Sequence, residues 1–566
     1  MQSFKICATA IIAVLIFSGC AQKGNQGDEN LTIDSVVFTR TGLFLKMSEP
    51  VSIQKVVLSK DGRILVTHSP GTAGQALIDL AWCNNTKYDL EVVTDKASLA
   101  MPVYAPEKPS PVKIAEIPLE DLEKKEMEYL YYAWRGAQAR FSPDGAFIGV
   151  GSKGGYVYLV RVSSKKIVWK HKIPEGRVSK VAFTNDGKLI AAEESRDGNV
   201  YCFDVNSGDL LWTYRSANDF DMQGFHPKTM GDRFPNYPLV CWGLCVDAKS
   251  NVYVMIRHNL EKTVNGRRKS MTTALVCRLN TQNGEPVWRF PINTSAWGLI
   301  LSRDGRFVFA EIGFAKEAVL SVLDTRSGTP LWQYTFTSPA KGPRSRWGTG
   351  FNGAISPDGR YVAINQTYPS TTFLFDNTKS IESGRPELLW KNQFLKTLDV
   401  GGIPIGTSSI NIELTDTELI FSTYRAQATG RSTSPTAVPA MHPDADTLFV
   451  YDFNGNLKWK WKIGDGTWNS EGIISTDGRY LVLPIGVVPS NALADPEGMG
   501  VYVFELSRPG GASAKLDWFH HTEGFAYKGD ISPDGKTIVV LEGPFDVDPD
   551  PLKEDIRGKH RLIILS

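Results

Sequence analysis

The chain has 566 residues, with 62 Lys and Arg against 61 Asp and Glu and a formal charge of +1. That balance supplies no field for a polyanion and excludes nucleic acid as the expected partner. With Cys7 and Cys20 set aside, Cys83, Cys202, Cys241, Cys245 and Cys277 are an odd set, so a disulfide framework is not expected to hold the fold. The N terminus reads as an export signal over residues 1–19: Lys5, the apolar run Ile6 to Phe17, then small residues before a cysteine. The run is too short to stay in a bilayer as a spanning helix.

Phe17-Ser18-Gly19-Cys20 resembles a prokaryotic lipobox, which implies lipidation at Cys20 and a cell-envelope, extracytoplasmic location on a membrane. Ordinary signal cleavage beside an incidental cysteine is the alternative. Residues 20–30 then form a polar tether. Between 31 and 105, alternating runs such as Val36-Val37-Phe38, Leu43-Phe44-Leu45 and Tyr88-Asp89-Leu90-Glu91-Val92 recur about every ten residues. They predict a small antiparallel sandwich of immunoglobulin or fibronectin-III type. Residues 106–128 read as a linker, proline-punctuated as far as Pro118, with a helical turn or two over Leu119 to Met127.

From residue 137 onward one unit repeats: strand, Ser-Pro-Asp-Gly-like turn, strand, variable connection, a third strand ending in Asp, a Ser-Gly turn, then Trp. The first turn appears at Ser142-Gly145, Thr184-Gly187, Ser302-Gly305, Ser356-Gly359, Ser475-Gly478 and Ser532-Gly535, with degenerate copies at Asp247-Ser250 and Leu414-Thr417. Pro sets the first corner, Asp bonds nearby backbone and Gly takes the positive φ that closes a hairpin. The second turn leads from Asp204 to Trp212, from Asp324 to Trp332 and from Asn280 to Trp288 with one constant spacing. It is one residue shorter between Asp452 and Trp459, while Trp169, Trp390 and Trp518 follow divergent turns. One large flat side chain per unit suits packing between radially arranged sheets, so residues 129–566 predict an all-β, eight-bladed β-propeller.

The Asp-x-x-Ser-Gly-x-x-x-Trp pattern is similar to the repeat of the quinoprotein-like (pyrroloquinoline quinone-type) β-propellers. That group includes quinone dehydrogenases and the propeller lipoprotein of the outer-membrane barrel-assembly machinery. The Ser-Pro-Asp-Gly turns are also frequent in WD-type repeats, although the Gly-His and Trp-Asp signatures are missing. The resemblance implies architecture more than activity. The last unit stops after Arg561 to Leu565, and Tyr129 to Trp134 has the character of its missing outer strand, so the two chain ends are expected to share one blade.

The connections alternate in length. Those at the Asp-Gly and Ser-Gly turns are short, whereas 216–240, 259–272, 335–350, 392–407, 426–446, 486–500 and 543–559 are long and belong to the other face. Length without a core of its own concentrates where binding happens. Near those connections lie Trp242, Trp297, Trp347, Phe351, Trp468 and Tyr527, which are candidates for a ligand-stacking ring at the channel mouth; packing between blades is the alternative. Cys241 and Cys245 stand about 13 Å apart in an extended strand, too far for a bridge, and read as buried single thiols. His520 and His521 are adjacent and point to opposite faces of a strand. Asp546, Asp548 and Asp550 alternate as calcium ligands would, without the Gly and distal Glu of an EF-hand.

No resident cofactor is expected, with calcium as the exception to test. The quinone dehydrogenases of the resembled group seat their cofactor under a vicinal disulfide, and no Cys-Cys pair occurs here, which disfavours pyrroloquinoline quinone. No nucleophile elbow, zinc-binding His-Glu-x-x-His or phosphate loop is present. The sequence therefore points to a membrane-anchored scaffold binding an envelope or secreted protein, or a small ligand, through the long-connection face. The alternative is a propeller enzyme, a quinoprotein-like oxidoreductase or a lyase or hydrolase, with its site at the channel mouth.

Overall fold

A computed structural model describes the chain from residue 31 onward, apart from 105–112, 122–137, 228–238, 338–350, 429–441, 488–498, 507–514, 547–555 and shorter stretches in other connections. The chain divides into two units, Met1–Lys108 and Pro109–Ser566.

The first unit has two antiparallel sheets. One joins Ile33–Thr39, Gly42–Met47 and Gln75–Asp79; the other runs in the order Arg63–His68, Ile53–Lys60, Lys87–Thr94, Ser98–Tyr104. Strict alternation buries Tyr88, Leu90 and Val92 and leaves Lys87, Asp89 and Glu91 exposed. The buried residues join Leu43, Leu45 and Ala76 of the other sheet in one core.

The second unit is propeller-like, built of repeated antiparallel four-stranded sheets. In chain order, sheet A holds Gln138–Phe141, Phe147–Gly151, Tyr156–Arg161 and Lys166–Lys172, and sheet B holds Arg177–Phe183, Lys188–Ser195, Asn199–Asp204 and Leu210–Arg215. Sheet C holds Leu239–Val246, Val252–Val264, Arg267–Leu279 and Pro286–Ile292, and sheet D holds Ala296–Leu301, Phe307–Ile312, Glu317–Asp324 and Pro330–Thr337. Sheet E holds Phe351–Ile355, Tyr361–Gln366, Thr371–Asp376 and Leu388–Gln393, and sheet F holds Ser409–Leu414, Glu418–Thr423, Thr447–Asp452 and Leu457–Lys462. Sheet G begins with Thr467–Asn469 and Ile473–Ile474, both paired to Tyr480–Val487, and continues with Gly500–Glu505 and Lys515–His521. Sheet H joins Phe525–Ile531, Ile538–Gly543, Arg561–Leu565 and, from the other end of the unit, Lys113–Pro118.

The turns explain why these strands form. At the first turn the Ser142 hydroxyl donates to Asp144 at 2.6 Å, Asp144 accepts from the Ala146 amide and Gly145 has φ 71°. Sheets D, E, G and H repeat the Ser-to-Asp bond at Ser302, Ser356, Ser475 and Ser532. In degenerate sheet C, Asp247 accepts from the Lys249 and Asn251 amides while Ser250 takes the positive φ at 65°.

Packing between sheets uses the repeated tryptophan. Trp169, Trp212, Trp288, Trp332, Trp390, Trp459 and Trp518 all lie where the register between third and fourth strands shifts by one residue. Trp169 donates Nε1–H to the carbonyl of Val205 in the next sheet, Trp212 to Thr281, Trp288 to Thr325 and Trp390 to Phe453, at 2.8–3.0 Å. Each acceptor directly follows the Asp or Asn that opens the next sheet's second turn. In sheet E a short helix, Asn377–Ser383, replaces that turn, and Trp332 donates instead to the side-chain oxygen of Asn377 at 2.7 Å. The turn glycines receive the indoles: a Cβ on Gly208, Gly284 or Gly328 would lie 2.5–3.0 Å from Trp169, Trp212 or Trp288.

Neighbouring first strands touch from A through F, G touches H, and H touches A; Trp461 of F bridges to Tyr502 and Phe504 of G, with ring centroids 5.4 and 5.0 Å apart. The cores lie between adjacent sheets, as where Ile190, Cys202 and Trp212 of B meet Val254, Leu275 and Cys277 of C.

The strand beside Arg561–Leu565 is Lys113–Pro118, with Leu562 opposite Ile117 and Ile564 opposite Ala115. This corrects the expected closure, in which Tyr129 to Trp134 filled that place; those residues lie outside the described ones. The signal was the alternation in Lys113-Ile114-Ala115-Glu116-Ile117, hidden by prolines on both sides that made it read as linker. Beyond this strand Glu120 reaches sheet A, where it accepts from the Ser152 hydroxyl, the Gly154 amide at 3.0 Å and the Tyr158 hydroxyl at 2.6 Å. Sheet B meets the same needs from its own second strand: Glu193 accepts from Ser195, the Asn199 amide and the Tyr201 hydroxyl.

Candidate functional site

The two ends of the sheets differ. Among the described residues, first-to-second and third-to-fourth connections are hydrogen-bonded turns apart from the short helix of sheet E; 507–514, the third-to-fourth connection of sheet G, lies outside them. The remaining secondary structure between strands of the sheets falls in the opposite connections. Phe225–Pro227 follows sheet B and pairs with the second strand of sheet C. Leu398–Val400 and Ile403–Gly406 precede sheet F and pair with each other, and Ile403–Gly406 also pairs with Gln427–Ala428 from that sheet's second-to-third connection. Phe545–Asp546 pairs with Ile556–Arg557 inside the second-to-third connection of sheet H. Residues 259–272, expected as a loop, continue the second and third strands of sheet C as a long hairpin.

At that end the first strand carries a one-residue register shift in five sheets, leaving over Ser179, Trp242, Trp297, Ile410 and Tyr527. Such bulges re-aim side chains at a sheet's rim. Three of the six expected channel-mouth aromatics therefore occupy one equivalent position.

Trp242 and Trp297 belong to adjacent sheets and share one apolar cluster with Tyr253, Met255 and Ala296. Trp242 is 4% exposed, donates Nε1–H to Glu194 Oε1 at 2.7 Å and lies under the Arg257 guanidinium at 3.9 Å. Glu194 also meets Arg177 at 3.1 Å, and Arg257 donates to Ser295 at 3.2 Å. The result is a buried chain Arg177–Glu194–Trp242–Arg257 across sheets B and C, in which each charge meets an opposite charge or a π-face. Tyr527 is fully buried; its hydroxyl meets His560 Nε2 at 3.0 Å, and His560 Nδ1 donates to the Glu120 carbonyl at 2.9 Å. Trp242 and Tyr527 thus pack and hydrogen-bond within sheet junctions instead of presenting an open stacking face.

Phe351 opens the first strand of sheet E and Trp468 lies in the first short strand of sheet G, while Trp347 lies outside the described residues. Asp546 lies in the strand pair of sheet H; Asp548, Asp550 and Cys20 lie outside the described residues. Among the described residues no three His, Cys, Asp or Glu side chains gather as a metal site. Cys202, Cys241 and Cys277 are buried free thiols, pushed up to about 12 by burial, and Cys245 is a half-buried, unbridged thiol. Burial lowers His520 to about 4. Residue spacing gave no signal for Arg177, Glu194, Arg257 or Glu120, because a buried ion pair joins residues far apart in the chain.

These features define a propeller-like fold of repeated four-stranded sheets. Residues 139–226 match the anaphase-promoting complex subunit 4 WD40 domain. Over 70 residues the chain is 41% identical to the human (Homo sapiens) U3 small nucleolar RNA-associated protein 18 homolog, a stretch that is 12% of either protein. Among solved structures, the C-terminal WD40 domain of Sif2 is similar at 11% identity and TM-score 0.46, covering 81% of this chain and 98% of that one. BamB from Moraxella catarrhalis is similar at 14% identity and TM-score 0.44, covering 81% and 99%.

Proposed function

We propose that the chain is an exported lipoprotein held on a membrane through Cys20, with an immunoglobulin-like domain and an eight-bladed propeller that binds a protein of the cell envelope at its long-connection end. The observation that supports this reading is the asymmetry among the described residues: apart from one short helix, the added strands between sheet strands fall in connections of one end, while hydrogen-bonded turns make up the described connections of the other. Elaboration confined to one end of a rigid ring is how such scaffolds build a binding surface. Trp297, Trp347, Phe351 and Trp468 are the aromatic contacts proposed for it, and calcium at Asp546, Asp548 and Asp550 belongs to the same proposal. A quinoprotein-like origin of the repeat is proposed on the Asp-x-x-Ser-Gly-x-x-x-Trp spacing.

Two experiments test it. Palmitate labelling is expected in the wild type and absent in Cys20→Ala; equal label in both removes the anchor. A pull-down from detergent-solubilised envelopes is expected to lose a protein partner when segments 338–350 and 488–498 are cut to short Gly-Ser links, and an unchanged partner set removes the binding end.

A further inference from the structure

The second and third strands of sheet C, Val252–Val264 and Arg267–Leu279, have 13 residues each, whereas those of the other sheets have at most 8. The excess, at about 3.3 Å per residue, is a hairpin arm extending roughly 20 Å beyond its sheet at the long-connection end. Gly266, at its tip, has φ 71° and open space where a Cβ would stand, with nothing within 4 Å, and Thr263 is exposed.

Two features of the arm point to a ligand. The first is an open edge. Phe225–Pro227 pairs with the outer side of Leu260–Lys262, but the fourth strand of sheet C pairs with the third only from Ala274 onward. No described strand therefore covers the outer edge of Arg267–Thr273. The second is charge. Lys262, Arg267, Arg268 and Lys269 stand on the arm against Glu261 alone. The register sets Lys262 directly opposite Lys269 and places Arg267 at the next position on the same face. Like charges directly opposite destabilise a ladder. A basic edge also guards a strand against self-pairing, but a guard requires no extension beyond the sheet.

We propose that this edge is a docking strand: Arg267–Thr273 pairs with an extended acidic segment of a protein partner, whose alternating carboxylates meet Lys262, Arg267 and Lys269. Backbone pairing supplies affinity, and the cations supply register and selectivity. A row of edge N–H and C=O groups is satisfied by another strand and not by a plane of anionic headgroups, which favours a protein over a membrane. The inference rests on the long-connection end being the binding surface.

The test uses the purified chain and a fluorescent peptide of alternating Glu and Thr. Binding by anisotropy, slowed hydrogen exchange at 267–273 and a loss of about tenfold or more in the double variant Arg267→Glu/Lys269→Glu are expected. Ser270→Pro, which keeps the charges and removes an edge donor, is expected to weaken binding as well, with its thermal unfolding checked beside the wild type. Absence of binding, equal binding of an alternating Ser and Thr peptide, or arm-dependent binding to phosphatidylglycerol vesicles or an RNA oligonucleotide in its place would overturn the proposal. Failure here with a partner still lost from the trimmed variant in the envelope pull-down removes the docking strand and keeps the binding end; peptide binding with an unchanged partner set does the reverse.

Discussion

Trp288 donates its indole N–H to the carbonyl of Thr325 in the next sheet at 3.0 Å, and the same turn lays Gly328 against the indole ring. Hydrogen bond, turn and glycine form one joint, and related joints recur from sheet to sheet. The ring depends on them because no disulfide joins the described cysteines.

Gly328→Ala is expected to cost more than Gly478→Ala. Both positions have φ near 70°, worth about 1 kcal/mol against a side chain. Only at Gly328 does a Cβ meet an indole, at 2.5 Å, whereas nothing lies within 4 Å at Gly478. Overpacking adds about 1–3 kcal/mol. Denaturant unfolding of the two variants measures the difference, and equal losses contradict the joint.

Removing the Glu120 carboxylate is expected to loosen ring closure. Glu120→Ala leaves Ser152, the Gly154 amide and the Tyr158 hydroxyl without their acceptor, a loss of about 2–4 kcal/mol. Hydrogen exchange should quicken in 113–118 and 561–565 before the other sheets. Uniform quickening contradicts a local seam.

Acid should act on the turns and the seam with opposite signs. Hydrogen bonds from Ser142 and Ser532 hold Asp144 and Asp534 below the usual carboxylate range. Their stabilisation is present above the unfolded pKa, about 3.9, and is lost as pH falls through the lower folded value. Burial raises Asp530, which accepts from the Phe141 amide at 2.8 Å across the H–A seam. Its contribution is full below the unfolded pKa and is lost as pH rises through the folded value. Asp530→Asn should therefore gain on the wild type as pH rises from 4 to 8, while Asp144→Asn should lose on it as pH rises from about 2 to about 4. Denaturant midpoints across the two ranges decide both.

Thiol chemistry should follow burial. Cys202, Cys241 and Cys277 are expected to resist alkylation in the native protein at pH 8 and to react fully in denaturant, with Cys245 reacting first among the four. Site-resolved mass spectrometry checks the order.

The repeat was legible because its turns are local chemistry: Ser, Asp and Gly within four residues specify a hairpin without reference to the rest of the chain. The Trp positions were legible for the same reason, even in sheets A, E and G, where the preceding turn diverges. The closing strand was not, because what makes Lys113–Pro118 a strand is Arg561–Leu565, hundreds of residues away. The sheet C arm read as a loop although Asn265-Gly266, a strong hairpin signal, stands at its tip. At the candidate site, the long connections pointed to Trp242, Trp297 and Tyr527, which share one bulge position, but not to their surroundings. Burial of Trp242 follows from Glu194 and Arg257, and burial of Tyr527 from His560, partners assembled only by closure of the sheets.

Photo-crosslinking in intact envelopes tests the proposed location and the proposed binding end most directly. A benzoylphenylalanine placed at Thr263 on the arm, or at Asn206 and Lys536 in exposed turns of the other end, reports which end meets a protein. Crosslinks to a distinct protein from Thr263, with none from Asn206 or Lys536, are the expected result. Crosslinks from the turn positions with none from Thr263 would contradict it.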